Sequence, residues 1–347
     1  MSQYVISELK PSDQCAYSQV DALLKEEGIT RDANLDHTCV MYDEDYRVIA
    51  TGSCFGNTLR CFAVRKDHQG EGLLNEIITH LTELQMERGY HHLFLYTKIR
   101  TAPFFRDLGF HEIARVDGSM VFMENRKHGF SRYLQSLSPF RKEGISSAIV
   151  MNANPFTLGH LHLAEQASAE SDTVHLFVLS EDVSLVPFSV RKRLVQAGVA
   201  HLPNVICHDS GPYMISNATF PSYFLKDEAD VTKNHARLDI EVFGQVAAAL
   251  HITKRYVGEE PKSVVTASYN QCLKEQLPQK GIQCIEIPRL EKDGAVVSAS
   301  DVRKAIREQE WDKVKKMVPD STYQFFRGQE AEVVIRRIME AEHVIHH

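Results

Sequence analysis

The stretch NANPFTLGHLHL, residues 152–163, lies between an apolar run, SSAIVM, and a helical stretch, AEQASAE. A bare strand-to-helix turn needs only a turn residue and a cap, so this crowding of chemistry-bearing types calls for a reason. Pro155 and Gly159 let the backbone turn sharply and approach a ligand closely. A helix that begins there presents unpaired N–H groups, which favour phosphate. Thr157 adds a hydroxyl, His160 adds an imidazole able to donate to phosphoryl oxygens, and Asn154 is placed to orient Thr157 or to touch phosphate. The plainer alternative is an ordinary turn with a satisfied histidine, since short motifs match by chance.

A second candidate is VSASDVRKAI, residues 297–306, with Ser298 and Ser300 just before a helix and Arg303 in its first turn. Either Ser300 is an N-cap and Arg303 a solvated helix residue, or hydroxyls, helix N-terminus and guanidinium converge on a triphosphate. Arg191 opens the helix FSVRKRLV and either reaches pyrophosphate or belongs to a solvated basic turn. Glu259 and Glu260 follow the strand YVG and suit ribose or metal contact, or plain solvation. His162 is expected to point away from His160 and to be structural. Tyr269 sits on a helix beside Asn270, where a tyrosine usually packs.

These residues need a frame. From residue 146 onward, apolar strands alternate with helical stretches: SSAIVM and LHLAEQASAE, TVHLFVLS and SVRKRLVQAGVAHL, then NVICHD, KRYVGEE, VTASYNQCLKEQL, IQCIEIPRL and SASDVRKAIREQE. Parallel strands need crossover helices, so this alternation predicts a parallel sheet with helices on both faces. Ligands bind such sheets at the strand carboxyl ends, near a topological switch point. The front half reads differently. HTCVMYDEDYRVIATGSCF predicts two strands around an acidic turn, and NTLRCFAVR a third. GEGLLNEIITHLTELQMERGY predicts a helix ended by Gly89, and HHLFLYTK a further strand. Residues 131–145, polar and carrying Pro139 and Gly144, read as a linker between domains at 1–130 and 146–347.

The 347 residues suffice for two or three domains, and 43% hydrophobic with 24% charged residues marks a globular chain. A net charge of −7 argues against broad nucleic-acid or anionic-membrane binding. No apolar run reaches the roughly 18–20 residues that cross a bilayer. The 7 scattered cysteines show no zinc or haem spacing and suit free thiols in a reducing compartment, so a cytoplasmic protein without its own metal site is expected. Cys207, Cys272 and Cys284 are expected to fill cores.

The pair T-L-G-H at 157–160 and S-x-S-x-x-R at 298–303 resembles the nucleotidyltransferase superfamily with HIGH-type and ISSTxxR-type motifs. Thr157 stands where many members carry the first His of HxGH, as in the adenylyltransferase branch. With FVLSEDVSLVPFSVRKRLV and YVGEEP, essentially the whole chain is similar to the citrate lyase ligase family. VRKDHQGEGLLNEII resembles the acetyl-CoA pyrophosphate loop of GNAT acetyltransferases, reading Gln69-x-x-Gly72-x-Leu74, and APFFRDLGFHEIARVDG resembles a later segment of that family. Leu74 replaces a small residue, so a GNAT-like fold is expected without retained acetyl transfer.

The resemblance implies an α/β chain in which a Rossmann-like parallel-sheet nucleotidyltransferase domain follows a GNAT-like α+β domain. It implies ATP-dependent acetylation of the thiol of a dephospho-CoA-derived prosthetic group on the acyl-carrier subunit of citrate lyase, through acetyl-adenylate, with AMP and pyrophosphate released. His160, Thr157 and Arg303 would be catalytic. Asn154, Gly159, Ser298, Ser300, Arg191 and Glu259 would bind ATP, Mg²⁺ would come with the phosphates, and acetate would be the acyl donor, with no nucleic acid or membrane partner. Three alternatives stay open: adenylyl transfer to a phosphopantetheine-like acceptor, a GNAT acyltransferase with a nucleotide-sensing domain, and a non-catalytic module docking on citrate lyase. The insertion from Gly211 to Phe243 is the candidate for acceptor recognition, a lid or a structural loop.

Overall fold

The computed structural model describes residues 4–214, 220–221, 228–260, 263–292 and 295–341. The chain divides into two compact units, Met1–Gly129 with Pro221–Asn234, and Phe130–Phe220 with His235–His347.

The first unit contains β1 (Ile6–Glu8), α1 (Gln14–Glu26), β2 (His37–Tyr42), β3 (Val48–Phe55), β4 (Thr58–Val64), α2 (Leu73–Glu87), β5 (Phe94–Lys98), α3 (Ala102–Asp107), β6 (His111–Val116) and β7 (Met120–Glu124). Side chains alternate across a strand, and β2 uses that to feed two cores. Cys39 and Met41 pack with Ile77 and Leu81 of α2, whereas Val40 packs with Val20 and Leu24 of α1. The sheet runs β1-β2-β3-β4-β5-β7-β6. Its one parallel pair, β4 with β5, meets only at Thr58–Phe94 and Leu59–Leu95. A cleft of about 900 Å³ opens beside that short pairing, lined by Val64, Tyr96, Lys98, the loop carrying Gln69 and Gly72, and Leu74 in the first turn of α2. Gly72 caps α2 at φ 82°, a left-handed conformation that suits glycine.

The second unit opens with α4 (Gly129–Leu137), followed by β8 (Ser146–Met151), α5 (Leu158–Ala169), β9 (Thr173–Val178), α6 (Phe188–Gly198), β10 (Val205–Asp209), α7 (Glu228–Leu250), β11 (Ile252–Gly258), α8 (Val264–Gln276), β12 (Gln283–Ile287), β13 (Glu291–Lys292), β14 (Ala295–Val296), α9 (Ala299–Arg307), α10 (Trp311–Met317), α11 (Asp320–Arg327) and α12 (Glu332–Glu340). Helix α4 occupies part of the expected linker, and its Leu137 is buried with Phe177 and Leu250. The polar residues Ser131, Arg132, Gln135 and Ser136 are the exposed side of that helix. Strands run β10-β9-β8-β11-β12, every pair parallel. Ile149 and Met151 of β8 face a core shared with α5, α6 and α9, while Ala148 faces Phe243 and Val246 of α7. Both faces are covered, which is why β9 is buried along its whole length.

Of the insertion at 211–243, residues 215–219 and 222–227 lie outside the described residues, as do the terminal His346 and His347. None of the seven cysteines forms a disulfide, and Cys207, Cys272 and Cys284 sit in or against the second unit's cores. Among the described residues no helix is long and apolar enough to cross a membrane.

Candidate functional site

The chain leaves β8 toward β9 and β10, then returns to lay β11 and β12 on the other side of β8. Loops after β8 and β11 therefore diverge, and a crevice follows at their carboxyl ends. There lies a cleft of about 310 Å³, lined by Asn154, Gly159 and His160 of the first motif, Gly258 and Glu260 after β11, Arg289 after β12, and Ala299 and Arg303 of α9.

Gly159 permits this convergence. A Cβ there would sit 3.1 Å from the Val297 carbonyl oxygen, so the residue before the second motif packs against the first turn of α5. A guanidinium nitrogen of Arg303 then donates to the Asn154 carbonyl, joining the two motifs across 149 positions of sequence.

His160 is held in one tautomer. The Thr157 backbone N–H donates to His160 Nδ1 at 3.1 Å, so Nδ1 must accept and Nε2 carries the proton. Burial, with the Arg289 charge adding, pushes the imidazole down to about 4, and it is neutral at physiological pH. The site thus has a fixed, uncharged N–H donor on the cleft wall. Thr157 is buried and does not line the cleft. Its hydroxyl caps α5, accepting from His160 N, and lies 2.9 Å from Nδ1. It positions His160.

Arg303 is 4% exposed, and its hydrogen bonds go to the Asn154 carbonyl and, at 3.1 Å, to Ser300 Oγ. Its Nε is buried without a partner. Burial, with Arg307 adding, lowers it to about 10, so it remains a cation with no carboxylate partner among the described residues. A buried unneutralised charge is costly unless something pairs with it. An anion entering the cleft would do so.

The remaining expected residues are placed as follows. Asn154 lines the cleft, its Oδ1 fixed by the Val186 N–H at 3.0 Å. Ser298, not Ser300, caps α9 and bonds Asp301, because α9 begins at Ala299. Ser300 lies behind the cleft lining, against Arg303. Arg191 is fully buried, and its guanidinium donates to the carbonyls of Asn152, Leu179, Glu181 and Val186, so it braces the loops after β8 and β9 and does not line the cleft. Glu259 is exposed; its neighbour Glu260 lines the cleft and pairs with Arg289.

Further residues outside the two motifs' expected contacts line the cleft. His162 lines it beside His160. So do Asp239, Arg255, Tyr269 and Asn270. Arg255 pairs with Asp239 at 2.6 Å, and the Tyr269 hydroxyl donates to the same carboxylate at 2.7 Å. Burial and Asp239 hold the Tyr269 phenol well above its ordinary range, so it keeps its proton. Asn270 Nδ2 donates to the Gly258 carbonyl at 2.9 Å, fixing the end of β11. Nothing in their spacing signals this, since α7, β11 and α8 meet only in three dimensions.

The fold is a Rossmann-like parallel-sheet domain, its cleft at the switch point, preceded by a GNAT-like α+β domain. Residues 146–326 match the family described as citrate lyase ligase C-terminal domain, and residues 4–110 match the acetyltransferase (GNAT) family. A [citrate [pro-3S]-lyase] ligase of Klebsiella pneumoniae is 39% identical over 88% of this chain and 91% of its own. The enzyme of the same name from Escherichia coli is 36% identical over 93% and 94%. Among solved structures, Thermotoga maritima TmcAL bound with alpha-thio ATP is 12% identical, covering 53% of this chain and 55% of its own at a TM-score of 0.34. The chain belongs to the citrate lyase ligase family.

Proposed function

We infer that this ligase uses ATP and acetate to acetylate the thiol of the dephospho-CoA-derived prosthetic group on citrate lyase's acyl-carrier subunit, releasing AMP and pyrophosphate. The relatives' name supports the acceptor. The observation that carries the ATP half is Arg303, a buried cation without an acid partner among the described residues, in a cleft whose other wall is the His160 N–H donor. In this reading acetate, already ionised at neutral pH, attacks the α-phosphorus. The new O–P bond forms as the bond to pyrophosphate breaks. The carrier thiol then attacks the acetyl carbonyl, its proton passes to solvent and AMP leaves. The first step asks for positioning and for donors aimed at charge building on phosphoryl oxygens, which His160 and Arg303 supply. Mg²⁺ enters as part of the substrate. Both carboxylates lining the cleft, Asp239 and Glu260, are engaged with Arg255 and Arg289, so the phosphates and water would hold the ion.

ATP–pyrophosphate exchange with Mg²⁺, with and without acetate and without carrier, tests this. Exchange that requires acetate supports acetyl-adenylate. Silence with acetate, together with AMP transfer to phosphopantetheine, would replace this reading with adenylyl transfer.

A further inference from the structure

The first unit holds a cluster that the ligase chemistry does not use. His37 and Cys39 are two apart on β2 and project from the same face, the one packed by α2. That helix carries His80, which is half-buried. The donor atoms of His37, Cys39 and His80 all lie within 4.8 Å of one another, and the two imidazole centroids are 6.5 Å apart.

The tautomer of His37 follows from its neighbour. Nδ1 faces Glu8 Oε1 at 3.1 Å, and an ionised carboxylate only accepts, so Nδ1 carries the proton. Nε2 is then left with a lone pair, and it is buried without a hydrogen-bond partner among the described residues on a side chain only 3% exposed. A buried acceptor with nothing to accept is unfavourable. The arrangement is the one metal-ligating histidines adopt, with one nitrogen held by a carboxylate and the other bare. Beside it the Cys39 thiol makes a long contact, 3.5 Å, to the Gly52 carbonyl.

We propose that Nε2 of His37, Sγ of Cys39 and a ring nitrogen of His80 bind a divalent ion of the zinc class, with the fourth position left to water. Two imidazoles and a thiolate are a borderline-soft donor set that suits Zn²⁺ over Mg²⁺ or Ca²⁺. Burial holds the Cys39 thiol up at about 12, so binding must displace its proton to solvent as the S–metal bond forms. His80 offers the solvent path, and the ion would tie β2 to α2.

The test is Co²⁺ titration of the chelator-stripped full-length protein, followed by absorption spectroscopy and competition with Zn²⁺. One equivalent is expected, with a thiolate-to-Co²⁺ charge-transfer band that Zn²⁺ abolishes. Cys39→Ser loses that band. His80→Ala, at a half-buried helix position that leaves the core intact, binds at least about 10-fold more weakly, and Glu8→Gln loses about 10- to 100-fold through the His37 orientation. No uptake by the stripped wild-type protein would overturn the proposal. So would a charge-transfer band that survives in Cys39→Ser, or an affinity unchanged in His80→Ala.

Discussion

At the scale of single residues, the cleft contains two donors prepared in different ways. His160 is an uncharged donor whose proton is fixed on Nε2 by the Thr157 N–H, and Arg303 is a charged one without a carboxylate partner among the described residues. His160→Ala should lower acetate-dependent exchange about 10²–10³-fold, as for loss of one charge-stabilising donor. Near-normal exchange in that variant would remove His160 from the chemistry. Because His160 titrates near 4, its donor should contribute no inflection to the exchange rate between about pH 6 and 8. Arg303→Met should abolish exchange without lowering the melting temperature, since it removes a buried charge that the free protein leaves uncompensated. A fall of several degrees would show that its bonds to Asn154 and Ser300 are its main purpose. Sequence placed His160, Gly159, Asn154 and Arg303 in the two motifs, and the fold brings these together. It could not rank hydroxyls and charges within them. Whether Thr157 faces ligand or caps a helix, and whether Arg191 reaches out or folds in against four carbonyls, depends on loops whose paths no local pattern encodes.

At the scale of elements, the legible part was the alternation. The apolar runs that form β8, β9, β10, β11 and β12 became parallel strands and the helical stretches of α5, α6 and α8 became crossover helices, as period and length suggest. Helix α9, in contrast, follows the last strand and packs into the core it shares with α5. Illegible were the contributions of α7 and α8, whose Asp239, Tyr269 and Asn270 reach the cleft through packing. The approach of α9 to α5 rests on Gly159. Gly159→Ala should cost at least about 10-fold in exchange while changing stability by less than about 1 kcal/mol, because the helix gains propensity as the Val297 contact is forced open. The pair β9 and β10 carries a second element-scale property. His175 Nδ1 lies 2.9 Å from His208 Nε2, both are buried, and burial pushes each down to about 4, with His208's charge adding at His175. Folded pKa values below the unfolded value of about 6.5 mean that the unfolded chain binds protons first as pH falls. Stability is therefore full above about 6.5 and is lost toward 4, at about 1.4 kcal/mol per pH unit for each histidine. Urea midpoints between pH 7 and 4.5 should fall less steeply in His208→Gln; an unchanged slope would exclude this pair as the source.

At the scale of the whole molecule, the chain builds separate cores for separate tasks. The clusters around α1 and α2 draw on residues 9–123, and those around α5, α6, α7 and α9 draw on residues 137–338. Every residue lining the 310 Å³ cleft comes from the second unit, and the proposed metal ligands all come from the first. Ligands that bind only the native state add RT ln(1 + [L]/Kd) to the unit that holds them, about 2.7 kcal/mol at a hundredfold excess over Kd. Calorimetry should then show two transitions that can be moved one at a time. Leu24→Ala, which opens a cavity in the first unit's core, should lower one of them by about 2–5 kcal/mol and so identify it. Mg²⁺ with a non-hydrolysable ATP analogue should raise only the other, and Zn²⁺ only the one that Leu24→Ala lowers. A single transition that responds to all three would mean that the two cores unfold as one cooperative block, and that nucleotide binding in one unit is felt as stability in both.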